Sequence, residues 1–161
     1  CKWIRGDFSG LAEIRDFISR WGGEISGCNC LVNNYGPITY KSVRDLTAED
    51  FLSDFHGNVI TAFEITRFLL DKNRGEPGLE AVANIGFEFT GEIKLYRNIL
   101  PYAAAKNSLL LLTRSLEREY PGIRFRMFSS PNLDGGHVAR KGGETVAPGQ
   151  LAADIFRELY P

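Results

Sequence analysis

Tyr102 and Lys106 are the residues whose types and spacing first suggest chemistry. They bound the run Tyr102-Ala-Ala-Ala-Lys106, and residues four apart on a helix lie on one face, a turn from each other. A phenol with an ordinary pKa near 10 is a poor acid and a poor base at neutral pH. An ammonium a few ångströms away favours the phenolate and lowers that value. The phenol can then give a proton to a carbonyl oxygen or take one from an alcohol. With six tyrosines in the chain, such a pair arises by chance in about one sequence in four, so its meaning depends on the elements that position it.

Those elements alternate. Lys2 to Gly6 is β-prone. Leu11, Ile14, Phe17, Ile18 and Trp21 then recur at helical spacing until Gly22-Gly23, where a stop is expected. Cys28 to Asn33 is an apolar run that ends in the turn-rich Asn34-Tyr35-Gly36-Pro37, the pattern of a strand entering a loop. Thr47, with Asp50 three residues on, caps a long helix whose apolar positions run from Phe51 through Leu70 to about Asp71. Glu80 to Gly86 reads as a strand buried on both faces. Pro101 pre-sets a helix over Tyr102 to Glu119, and Pro121-Gly122 ends it. Ile123 to Phe128 is a fourth strand, and Leu151, Ile155, Phe156 and Leu159 mark a last helix.

Four strands alternating with four helices predict an α/β fold, a doubly wound parallel sheet with helices on both faces, as one domain over residues 1–161. Ligands of such sheets bind outside the carboxyl ends of the strands. Those ends are Asp7-Phe8, Asn33-Asn34-Tyr35-Gly36, Gly86-Phe87 and Ser129-Ser130-Pro131.

Composition narrows the partners. At 161 residues, 43% hydrophobic and 24% charged, the chain fits an ordinary globular domain and not a disordered or fibrous one. Its formal net charge of -1 gives no field that recruits nucleic acid or anionic lipid, so a small-molecule substrate is expected, with no nucleic acid and no membrane. The longest aliphatic run, Leu109 to Leu112, falls far short of the roughly 20 residues of a span. Three cysteines, an odd number without framework spacing, suggest a reducing, cytoplasmic setting. Cys28 and Cys30 form a C-x-C within an expected strand, but His56 and His137 stand in unrelated segments. No metal site is expected, because zinc needs about four converging ligands.

Taken in order, Leu31-Val-Asn-Asn-Tyr-Gly36 at a strand end, Asn58 in the next helix, Ala83-Asn-Ile-Gly86 on the next strand and the Tyr102/Lys106 helix resemble the short-chain dehydrogenase/reductase family. Asp7 after the first strand and Ile123 to Pro131 fit the same pattern, which covers nearly the whole chain. The resemblance implies a Rossmann-like fold and hydride transfer between NAD or NADP and a carbonyl, alcohol or related C=N or C=C substrate. It implies Tyr102 as general acid/base, Lys106 lowering its pKa and holding the nicotinamide ribose, and Asn58 anchoring a water in a proton relay. On the cofactor side it implies Asp7 and Phe8 at the adenine, Asn33, Tyr35 and Gly36 beside the adenosine ribose, and Pro131 at the nicotinamide. It also implies a homo-oligomer, dimer or tetramer, through helices 48–70 and 102–119. The four successive leucines from Leu109 fit that pairing, since they surround the helix instead of forming one stripe.

Departures from the family pattern are specific. Tyr35 stands where the family has alanine in Asn-Asn-Ala-Gly. Gly86 and Phe87 stand where its substrate-orienting serine belongs, which leaves Thr90, twelve residues before Tyr102, as the substitute hydroxyl and Glu88 as a weaker one. Pro131-Asn132 replaces Pro-Gly. The family's glycine-rich pyrophosphate turn lies in a strand–helix unit ahead of Asp7, and no such turn stands in residues 1–6. Residues 1–161 are therefore expected to be an incomplete domain, without that unit and without the family's final strand after Tyr160-Pro161, and Gly135-Gly136 and Gly142-Gly143 read as loop punctuation instead of a displaced cradle.

Overall fold

The structure, a computed structural model, describes residues 4–72, 78–86, 97–129 and 146–161. Three short strands make its sheet: β1 (Cys30–Asn33), β2 (Ala81–Gly86) and β3 (Arg124–Ser129), in the order β1-β2-β3 and all parallel. β2 is central and buried at each of its residues. Its small and branched side chains, Ala81, Val82, Ala83 and Ile85, let helices close on both faces. Asn84 is the polar exception. Its Oδ1 accepts from Asn33 Nδ2 on β1 at 2.8 Å, and its Nδ2 donates to Thr113 Oγ1 at 2.8 Å. Both ends of the amide are satisfied, which is what a buried polar group requires.

Five α-helices are described: α1 (Leu11–Ile25), α2 (Ala48–Phe55), α3 (Thr61–Lys72), α4 (Leu100–Glu119) and α5 (Pro148–Leu159). Ile14 of α1, Ile65 and Leu69 of α3 and Leu116 of α4 pack with Val82 and Phe125 on one face of the sheet. Ile155 and Leu159 of α5 pack with Ala81, Ala83, Ile85 and Phe128 on the other. The parallel sheet with helices on both faces is thus the observed architecture, and it sets the carboxyl ends of β1 and β2 beside α2 and α4.

Three local expectations are corrected. Ile4 to Gly6, the described part of the first expected strand, form no strand, since a ladder needs a neighbour and none of the described strands lies beside them. Gly22-Gly23 does not stop the first helix, which continues to Ile25. Gly22 is buried with the Phe68 ring so close that a Cβ would overlap it, so the glycine serves α1–α3 packing. The long helix after Thr47 is interrupted by a π-helical turn at His56–Ile60, closed by the Thr61 N–H donating to His56 O. Its start does follow the capping-box reading. Thr47 Oγ1 accepts from Asp50 N, and Asp50 Oδ2 accepts from Thr47 N at 2.9 Å.

Candidate active site

Tyr102 and Lys106 lie in the first turns of α4, both buried, at 8% and 4% exposure. Lys106 Nζ donates to the Ile85 carbonyl near the end of β2 at 2.7 Å and stands 5.5 Å from the centre of the Tyr102 ring. Helix spacing brings the pair together, and the sheet end fixes the ammonium. Burial dominates their acidity. It pulls Lys106 down to about 8 and, with Tyr40 and Asp54 adding to it, pushes the Tyr102 phenol up to about 12. The expectation that Lys106 lowers the Tyr102 pKa is therefore corrected for this state, because desolvation of the phenolate outweighs the neighbouring charge.

These shifts set a stability window. Between about pH 8 and the unfolded value of 10.5, the folded protein binds fewer protons at Lys106 than the unfolded one, so stability rises with pH. Tyr102 acts oppositely above 10, where folding retains a proton that the unfolded chain loses. Urea melts at about pH 7 and about pH 10 should show the protein gaining stability relative to Lys106→Met. Parallel pH dependences for the two would contradict the burial of a lysine ammonium here.

Asn58, 1% exposed, stands in the π-helical turn, a distortion often found at functional sites. Its Nδ2 donates to Pro37 O and to Asp54 O, both at 2.9 Å, and its Oδ1 is buried without a donor among the described residues. A Cβ on Gly36 would overlap that oxygen. Gly36→Ala should therefore displace the Asn58 amide from both carbonyls and cost about 1–3 kcal/mol in a denaturant melt. An unchanged melt would show that the close approach of Gly36 to Asn58 is not real.

The other expected residues that the structure describes make local contacts of their own. Asn33 has its amide committed to Asn84 and, at 3.4 Å, to Thr66 Oγ1. Tyr35 is 49% exposed, and its ring lies 5.6 Å from that of Phe8, which also packs edge-on against Phe17. Asp7 is exposed. Its Oδ1 accepts from Ser9 N at 2.9 Å, which holds the carboxyl below its usual range, and it does not cap α1, whose cap position is Gly10. Thr90, Glu88, Pro131, Asn132, His137 and the two Gly-Gly pairs lie outside the described residues. Among the described residues, no group of three or more His, Cys, Asp or Glu gathers as a metal would need.

Asp54 belongs to the centre and escapes a reading by motif. It is wholly buried on α2, with Oδ1 and Oδ2 accepting the hydroxyl and N–H of Thr39 at 2.9 and 3.1 Å. The available signal was position: Phe51, Asp54, Phe55 and Asn58 share one helical face, so an acid stood in an apolar stripe.

The structure thus gathers a buried tyrosine and lysine a turn apart at the carboxyl end of a parallel sheet, with a buried asparagine on the facing helix. Residues 1–134 match the short chain dehydrogenase family, and the chain belongs to it. Among curated proteins it is 28% identical over 161 residues to the uncharacterized oxidoreductase YvrD of Bacillus subtilis (strain 168), covering 96% of this chain and 58% of that one. The chain thus spans little more than half of that relative. A short-chain dehydrogenase from Burkholderia cenocepacia J2315, solved in complex with NADP, shares the fold at a TM-score of 0.79 with 19% identity, over 98% of this chain and 69% of that one. A 4-hydroxyisoleucine dehydrogenase complexed with NADH has a TM-score of 0.71 and 19% identity, over 81% of this chain and 57% of that one.

Proposed function

We propose that the protein is an oxidoreductase that transfers a hydride between NADPH or NADH and a small carbonyl or alcohol, or a related C=N or C=C group, with Tyr102 as general acid/base. One observation carries the reading: Tyr102 and Lys106 stand buried a turn apart, with the ammonium fixed on the Ile85 carbonyl and 5.5 Å from the ring centre. The residues fit the nicotinamide end of such a cofactor. Lys106 carries three N–H donors and spends one on Ile85, which leaves two for ribose hydroxyls. The bound cofactor supplies the hydride chemistry.

The side chains supply position and protons. Tyr102, a neutral phenol at neutral pH whose ionisation burial pushes further up, donates its proton to the carbonyl oxygen in reduction and becomes phenolate; in oxidation it is the phenolate form that takes the proton from the alcohol. Asn58 holds a water that connects this proton to solvent, and Thr90 orients the substrate oxygen. Asp7 and Phe8 meet the adenine, Tyr35 and Gly36 border the adenosine ribose, and Pro131 closes on the nicotinamide side. Asn33, its amide already engaged, contributes through its main chain. The test is turnover of NADPH and NADH by the full chain with aldehydes, ketones, quinones and pterins. Oxidation of either cofactor with one of these classes is expected.

A second reading, a catalytically silent binding protein of the same fold, is favoured by Gly86. The terminal methyl of Met127 packs over it so closely that a Cβ there would make that side chain shift, and no serine hydroxyl projects from that position. Dinucleotide binding without turnover of any substrate class would select this reading.

Self-association belongs to the same proposal. Leu52 on α2 and Leu111 on α4 are 68% and 65% exposed, and an open groove of about 870 Å³ runs beside Ala48, Phe51, Leu52, Phe55, His56 and Ile60. Large exposed aliphatic side chains on two adjacent helices suit a homodimer or tetramer through 48–70 and 102–119. Sedimentation at tens of micromolar should give a dimer or larger, and a monomer would count against this interface.

A further inference from the structure

The segment after β1 is held by three hydrogen bonds on one side and by one on the other. On the α2 side, the Asp54 carboxylate takes both the N–H and the hydroxyl of Thr39, while Asn58 Nδ2 donates to Pro37 O. A fully buried carboxylate is unfavourable unless donors replace its water, so the two Thr39 bonds are part of what lets Asp54 stand there at all. On the α4 side, Lys41 N donates to Asn98 O at 2.9 Å. Asn98 adopts left-handed backbone, with φ of 66°, two residues before α4 begins and four before Tyr102. Pro37 to Lys41 is therefore a strap from the helix that carries Asn58 to the entry of the helix that carries Tyr102 and Lys106.

We propose that Asp54 is a positioning residue of the active site: by clamping Thr39 it holds the Pro37–Lys41 strap, and through the strap the Asn98 turn and the Tyr102 phenol, in the geometry that proton transfer needs. The inference rests on Tyr102 being the acid/base, whereas the strap can be measured without turnover. Asp54 acts through Thr39 and has no contact with substrate or cofactor assigned to it. Its charge has a second effect. The titratable groups that bear on the phenol are Asp54 from α2, Tyr40 from the strap and Lys106 from α4 itself. Asp54 and Tyr40 both disfavour the phenolate, so loss of the Asp54 charge lets Tyr102 ionise at lower pH.

Asp54→Ala, Asp54→Asn and Thr39→Val in the full chain separate the two effects. The readouts are amide hydrogen exchange, spectroscopic titration of tyrosinate with a Tyr102→Phe protein as reference, and kcat and KM. Asp54→Ala should speed exchange of the Thr39 and Lys41 amides by about tenfold or more, with α3 amides unchanged. It should also lower kcat about tenfold, with dinucleotide affinity unmoved. Asp54→Asn keeps a carbonyl and an amide facing Thr39, so the strap should stay protected while the Tyr102 titration moves to lower pH. Should Asp54→Ala fail to fold, Thr39→Val removes one of the two bonds and should give the same exchange pattern at smaller size. Unchanged exchange at Thr39 and Lys41 in folded Asp54→Ala or Thr39→Val, or an unchanged Tyr102 titration in Asp54→Asn, would overturn the proposal. Absence of turnover in the unaltered protein would instead defeat the oxidoreductase reading, and the exchange and titration results would still decide the strap.

Discussion

Replacing Tyr102 with phenylalanine should lower turnover by about 10² or more while leaving dinucleotide affinity nearly unchanged. The change removes one oxygen and keeps the ring, so the burial of the side chain and the 5.5 Å contact with Lys106 persist. What disappears is the proton that must reach the substrate oxygen as the hydride arrives. Because that interaction is made at the reacting centre, the loss should fall on kcat and not on cofactor binding. Steady-state kinetics with a direct binding titration checks both halves. Retention of more than half the turnover would remove Tyr102 as the acid/base whatever the fold.

Lys106→Ala should damage chemistry and binding together. Its ammonium is the buried positive charge at the phenol, and two of its three hydrogens are those assigned to the ribose hydroxyls. Expected losses are about 10² in turnover and about tenfold in dinucleotide affinity. The Ile85 carbonyl also loses its donor, which misplaces the end of β2 beside the site. The two substitutions therefore differ in signature: the tyrosine change is seen in kcat, the lysine change in both kcat and the dissociation constant. Wild-type dinucleotide affinity in Lys106→Ala would show that the ammonium holds no part of the cofactor.

Spacing was enough to place Tyr102 and Lys106 on one helix face, because four residues is a turn, and the alternation of apolar runs was enough for a parallel sheet with helices on both sides. Tertiary contacts were not legible in the same way. Gly22-Gly23 looks like a helix stop until Phe68 is seen against Gly22. Asn33 looks like a cofactor ligand, yet its amide answers Asn84 across the β1–β2 ladder, a pairing set by register and not by either local sequence. The direction of the Tyr102 shift is not legible in an i, i+4 spacing, because it depends on how much water the fold removes from the phenol. Asp54 was invisible for a related reason: its role follows from Thr39, fifteen residues earlier, folding back onto its helix.

The most direct test follows the hydride itself. The full chain would be supplied with NADPH or NADH carrying deuterium at the transferable position of the nicotinamide, together with the carbonyl substrate that supports turnover, and the alcohol product examined by mass spectrometry. Hydride transfer with Tyr102 as the proton donor predicts deuterium on the carbinol carbon of the product and a hydroxyl proton drawn from solvent. Cofactor oxidation that leaves the product free of deuterium, or dinucleotide binding with no product from any carbonyl class, would contradict it.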